Sequence, residues 1–221
     1  KPLQFSSIEL SIEKTQKAIV DQEKLCLKDA KKLSDKRKLS VVEIENNIKI
    51  LLGSLAMPNA QFKIAITALE NYNINGSDKI EFLFSANKGS EFKEIGKTAS
   101  GGELSRLMLC LKSLLAERTL LPTIVFDEID TGVSGDVADK IGSILEKMGS
   151  SLQVITITHL PQMASKGNNH LYVYKNDTLE KTTSHIKLLN KTERIEEIAK
   201  MLSAGKPTEI ALKNAKELLN A

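Results

Sequence analysis

Two short apolar runs, Thr123–Phe126 and Gln153–Thr158, constrain this chain most, because a segment of helical character, 135–148, lies between them. Short runs rich in Ile, Val and Thr suit strands buried on both faces. A helix between two such strands supplies the crossover that parallel pairing needs. Both runs end in residues that carry chemistry: Asp127-Glu128 after the first and His159 after the second. Open parallel sheets bind ligands beyond the carboxyl ends of their strands. The pattern therefore predicts a site that draws on both runs, with the two strands side by side.

The rest of the chain fits around that unit. Residues 1–56 read as one helix, with Ile12, Ile19, Cys26 and Leu33 recurring every seven residues, a coiled-coil spacing. The companion positions Thr15, Gln22 and Asp29 are polar, so the seam is thin and the helix calls for a partner helix. A denser apolar face follows at Ile44, Ile48, Leu51, Leu52 and Leu55, and Met57-Pro58-Asn59 ends the helix, since proline cannot continue it. Phe62, Ile64 and Ile66 alternate as in a strand, and Lys79–Ala86 is a second strand after a turn at Asn75-Gly76. Leu104–Leu115 is a helix, further strands fall at 171–174 and 184–189, and two helices close the chain near 192–202 and 208–219. Short apolar strands alternating with helices give an α/β class with a parallel sheet flanked by helices. The expected division is an arm helix over 1–56 and a sheet-containing lobe over 57–221.

Composition narrows the function classes. A net charge of +3 over 221 residues is too small to argue nucleic-acid binding from charge alone. No apolar run approaches the roughly 20 residues of a membrane span, so no membrane partner is expected. Cys26 and Cys110 both sit in apolar helical patterns, which suits a reducing cytosol better than a disulfide framework. Without an initiator Met or signal-peptide pattern, Lys1 reads as the start of a fragment. Lys28, Lys31, Lys32, Lys36, Arg37 and Lys38 form a basic cluster on the arm. It reads as a solvated helix face or as a stripe that tracks phosphates.

Three segments carry candidate chemistry. Ser100-Gly101-Gly102-Glu103 precedes a helix. It reads as a capping box, in which Ser100 caps the first turn and Glu103 bonds back. It reads equally as an anion site, because two glycines admit a phosphate to the free N–H groups of the helix N-terminus. Asp127-Glu128 is either a polar strand end or a Mg²⁺-directing carboxylate beside a water-activating one, and adjacent carboxylates at a buried strand end repel unless a cation sits there. His159 could reach a terminal phosphate from the neighbouring strand. Gly96-Lys97-Thr98 mimics the end of a phosphate loop, but Glu91 stands where that loop needs its first glycine.

Taken in this order the segments resemble the C-terminal half of an ABC-type ATPase head. Ser100-Gly101-Gly102-Glu103 is similar to the ABC signature, Ile124–Asp127 to Walker B with Glu128 as the catalytic glutamate, Asp130-Thr131-Gly132 to the D-loop, and His159 to the switch histidine. The long helix ahead of them resembles the structural-maintenance-of-chromosomes (SMC) group. GSLAMPNA (53–60), ASGGELSR (99–106), FDEIDTGVSG (126–135), THLPQMA (158–164) and RIEEIAKML (194–202) carry the likeness across nearly the whole chain. Glu103 stands where many ABC proteins carry Gln.

The resemblance implies a split site, with ATP sandwiched between two heads of a homodimer and the phosphate loop on the head's own N-terminal lobe. Asp127 would hold Mg²⁺, Glu128 would position the attacking water, and His159 would contact the γ-phosphate. Ser100, Gly101, Gly102 and Glu103 would serve the nucleotide of the opposite head, and Asp130 would line the interface between heads. The implied role is ATP-driven engagement of DNA in double-strand-break repair, in the bacterial cytoplasm and at the nucleoid. The chain alone is expected to be inactive as an ATPase. The alternatives are an ABC transporter motor fragment and a non-catalytic coiled-coil or dimerisation module.

Overall fold

The computed structural model describes residues 2–97, 101–116, 118–119, 121–127, 129–177, 181–203 and 205–220, with backbone alone for 2–7 and 177. The chain forms two compact units, one of residues 1–50 with 59–98 and the other of 51–58 with 99–221.

The first unit is built on helix α1, Pro2–Ser54. The helix ends before proline is reached. Ala56 takes a left-handed φ of 58°, and the Met57 N–H bonds back to the Leu52 carbonyl at 3.0 Å, closing the last turn. Pro58 therefore follows a helix that has already stopped. Strands β1 (Gln61–Asn73) and β2 (Gly76–Ser85) form an antiparallel hairpin, with the two-residue β3 (Lys93–Glu94) beside β2. The register pairs Phe62 with Phe84, Ile64 with Phe82, Ile66 with Ile80 and Ala68 with Asp78, so one face carries the apolar side chains. Gly76, at φ 102°, supplies the tight turn, where a side chain would press on Leu33 and Arg37.

The helix meets that hairpin through a stripe at helical spacing: Ala30 and Ser34 are buried, Arg37, Val41, Ile44 and Glu45 partly so, and Ile48 fully. The polar members have defined partners. Ser34 donates to the Asp78 carboxylate at 2.7 Å, and Arg37 donates to Asp78 at 2.9 Å and to the Asn75 carbonyl at 2.8 Å. The Glu45 carboxylate accepts the Ile64 N–H at 2.7 Å. The heptad positions Ile12, Ile19 and Leu33 continue the same helix face and are 52%, 53% and 39% exposed. Arg37 accordingly leaves the basic cluster, because it is a hairpin anchor, and Lys32 is paired to Asp29 at 3.1 Å.

The second unit contains helix α2 (Gly101–Ala116), strand β4 (Thr123–Phe126), helix α3 (Gly135–Gly149), strand β5 (Gln153–Thr156), helix α4 (Pro161–Lys166), strands β6 (Leu171–Asp177) and β7 (Thr182–Leu188), and helices α5 (Lys191–Ser203) and α6 (Glu209–Leu219). β4 and β5 pair in parallel, as the crossover through α3 requires, with Phe126 beside Thr156. Ile124 and Phe126 are buried, as are Ala138, Ile141, Leu145 and Met148 of α3. The parallel sheet is narrower than the alternation of strands and helices suggested. Among the described residues only β4 and β5 are parallel, while β6 and β7 form an antiparallel hairpin. Too few residues join β6 to β7 for a parallel crossover.

Caps hold the helices that follow. Asn190 accepts the N–H groups of Thr192 and Glu193, and Glu193 accepts the Asn190 N–H in return, a capping box that starts α5. From α5, Arg194 donates to the Ala164, Ser165 and Gly167 carbonyls at the end of α4. Ile198, Ala199, Ala211 and Ala215 make the buried seam between α5 and α6. Among the described residues no helix is long and apolar enough to cross a membrane.

Candidate functional site

Parallel pairing of β4 and β5 brings their carboxyl ends to one edge, and the candidate residues extend from that edge. Asp127 follows β4 directly and is exposed. Glu128 lies outside the described residues. Ile129 and Asp130 turn back into the protein and are 3% and 4% exposed. After β5 the chain keeps the sheet direction for one more residue, with the Ile157 N–H bonded to the Phe126 carbonyl at 3.0 Å, and then reaches Thr158 and His159.

The Asp130 carboxylate joins the two strand ends. Its Oδ2 accepts from the Thr158 hydroxyl at 2.7 Å and from the His159 backbone N–H at 3.0 Å, and it lies 3.0 Å from His159 Nδ1. The Thr158 hydroxyl in turn accepts the Leu160 N–H at 3.0 Å, shaping the chain just before α4, which opens on Pro161. These bonds satisfy a buried carboxylate that would otherwise be costly. Thr158 is a contributor that sequence reasoning passed over; its place directly before His159, in a loop entered from a buried strand, was the available signal.

The start of α2 is the second part of the site. Ser100 lies outside the described residues. Gly101 is the first helical residue and is exposed, Gly102 and Glu103 are partly buried, and the Ser105 hydroxyl donates to the Gly101 carbonyl at 2.9 Å. A Cβ at Gly102 would stand 3.1 Å from the Thr131 carbonyl, whereas one at Gly101 would meet nothing within 4 Å. The two glycines therefore differ: Gly102 lets the helix start approach the loop after Asp130, and Gly101 leaves its backbone open. One turn further on, the Arg106 Nε–H points at Met57 Sδ, 3.2 Å away.

Among the described residues no three His, Cys, Asp or Glu side chains converge as a metal-binding group. Mg²⁺ does not need three: it keeps several waters and takes one or two carboxylates beside substrate phosphates. Asp127, a hard oxygen donor exposed at the sheet edge, fits one such position. Cys110 is excluded from chemistry, because burial pushes its thiol up to about 12.

No protein-family model matches the chain. The DNA repair protein RecN of Rickettsia typhi is 44% identical over 191 residues, which span 86% of this chain. RecN of Haemophilus influenzae is 33% identical over 216 residues, or 96% of the chain. The chain is a RecN homologue. It spans about a third of the length of these RecN relatives, 34% of the first and 39% of the second. The fold agrees with that of SMC heads. The Smc head domain with a coiled coil and joint from Pyrococcus yayanosii aligns over 76% of this chain and 30% of its own, at a TM-score of 0.58 and 21% identity. The RecN match and the SMC-head fold are what the signature-like, Walker B-like and switch-histidine-like segments led one to expect.

Proposed function

We propose that this chain is the C-terminal part of an SMC-like ATPase head that acts in DNA double-strand-break repair, with residues 1–56 as its arm and 57–221 as its lobe. The observation that carries the proposal is the parallel pairing of β4 with β5, which sets Asp127 and the Asp130–His159 pair at one sheet edge, in a chain homologous to RecN. ATP, when bound with Mg²⁺, supplies the phosphoryl group to be cleaved. Asp127 offers one oxygen to the cation, Glu128 orients and deprotonates the attacking water, and the outward end of His159 meets the terminal phosphate. The start of α2, with Ser100, Gly101, Gly102 and Glu103, faces the nucleotide of a second head. The loop carrying Asp130 lines the boundary between the two heads of a homodimer. In this reading the protein works in the bacterial cytoplasm at the nucleoid.

The missing phosphate loop comes from an N-terminal lobe. The outward face of β4 and β5 supports this, since Val125, Ile155 and Ile157 are 53%, 42% and 58% exposed. Apolar strand faces of this kind are ordinarily covered. A transporter motor is less well supported, because it would precede its signature with a compact helical subdomain, whereas a 53-residue helix and an antiparallel hairpin stand here.

The test is Glu128→Gln in the head completed by the phosphate-loop lobe. The amide keeps shape and hydrogen bonding but accepts no proton, so ATP binds and turnover falls by about 10²-fold or more. Hydrolysis near the unmodified rate would remove Glu128 from the assigned role.

A further inference from the structure

We infer that Asp130 is the positioning residue for His159: it fixes the ring orientation and the tautomer of that histidine from within its own chain. The inference rests on the reading of His159 as the group that meets a terminal phosphate.

The contrast in burial is the starting point. The His159 side chain is 76% exposed, and that of Asp130 is 4% exposed. A side chain as open as His159 has little packing to select a rotamer, so its direction depends on its polar contacts. The same carboxylate oxygen takes the His159 backbone N–H and, at an equal 3.0 Å, stands beside the ring Nδ1. The Thr158 hydroxyl reaches that oxygen as well, at 2.7 Å. Three polar atoms from two consecutive residues thus converge on one oxygen, which sets the ring beside the carboxylate that already holds its backbone.

The chemistry follows from what a carboxylate can do. An ionised Asp accepts only, so Nδ1 must carry a proton to bond it. The neutral ring then has its lone pair on Nε2, the nitrogen directed away from Asp130. Nε2 is then the nitrogen presented to a ligand. Without Asp130 the ring is free to adopt the Nε2–H tautomer, which an unrestrained imidazole favours, and to swing. Asp130 acts through His159 in this arrangement, its Oδ2 being occupied by Thr158 and His159.

The test reads the ring directly. The chain has three histidines, His159, His170 and His185, so ¹⁵N-histidine labelling gives three ring systems, assigned by single His→Gln variants. In the unmodified chain at pH 8, His159 is expected to show the Nδ1–H pattern. An Nε2–H pattern there overturns the inference, and this measurement needs no variant that must fold. Asp130→Ala should convert His159 to the Nε2–H pattern, while Asp130→Asn, which retains a carbonyl acceptor, should preserve Nδ1–H. An unchanged tautomer in Asp130→Ala also overturns it.

Turnover in the completed head separates this inference from the reading beneath it. If both hold, Asp130→Ala lowers kcat about tenfold or more with KM little changed, and it adds nothing in a His159→Ala background. Additive losses contradict positioning. If His159→Ala leaves turnover intact while the tautomer still follows residue 130, positioning stands and the phosphate role of His159 falls.

Discussion

Removing the Arg37 side chain should loosen the hairpin end of the first unit by about 2 kcal/mol. Arg37→Ala deletes two hydrogen bonds, to Asp78 at 2.9 Å and to the Asn75 carbonyl at 2.8 Å. The second is exposed, and water replaces it at little cost. The first leaves a carboxylate that is 4% exposed with only the Ser34 hydroxyl. Breaking a fully buried pair costs about 3–5 kcal/mol, and an exposed pair is worth about 0–1. Arg37 is 24% exposed, which sets the value between these limits. The Arg37 guanidinium, with help from Ser34, holds the Asp78 carboxyl below its ordinary pKa. A carboxylate depressed on folding stabilises above its unfolded pKa of about 3.9 and loses that contribution as the pH falls through the folded value. The gap between Arg37→Ala and the unmodified chain should therefore be full at pH 7 and should close in acid below about pH 4. Amide hydrogen exchange across β1 and β2 is the assay, since a two-unit chain need not melt in one step. A change under about 0.5 kcal/mol at pH 7, or a gap that widens in acid, would refute the reasoning.

Two other substitutions and labels follow from local geometry. Gly101→Ala has open space and should stabilise the start of α2 by up to about 1 kcal/mol, while Gly102→Ala, 3.1 Å from the Thr131 carbonyl, should gain nothing or lose; equal melting points for the two variants would contradict the close approach. At pH 8 a thiol reagent should label Cys26, which is half-buried, and leave Cys110 unlabelled until the chain unfolds; two fast-reacting thiols would show that Cys110 is accessible.

The parallel pair was legible because its signals are local: two apolar runs, a helix between them, and strand ends marked by Asp127 and His159. The antiparallel β6–β7 hairpin was readable as strands but not as a pairing, which depends on the few residues between them. The arm was legible as a long helix, and the stripe that meets the hairpin, through Ala30, Ser34, Arg37 and Ile48, continues the face of the heptad positions but carries two polar members. An apolar count passes over Ser34 and Arg37, because their place in the stripe depends on Asp78, 44 and 41 residues away. The Asp130–His159 bond was hidden for the same reason: its partners are 29 residues apart, and each looked like a surface ligand on its own.

The most direct test of the central claim is ATP turnover by this chain as a lobe carrying the phosphate loop is titrated into it. The chain alone should release no phosphate above background, because it lacks the glycines and lysine that cradle the β- and γ-phosphates. Turnover should appear on mixing, saturate at one lobe per chain, and vanish with Glu128→Gln. Full turnover by the chain alone, or none at any ratio when both pieces are folded, would contradict the assignment of this chain as half of a split ATPase head.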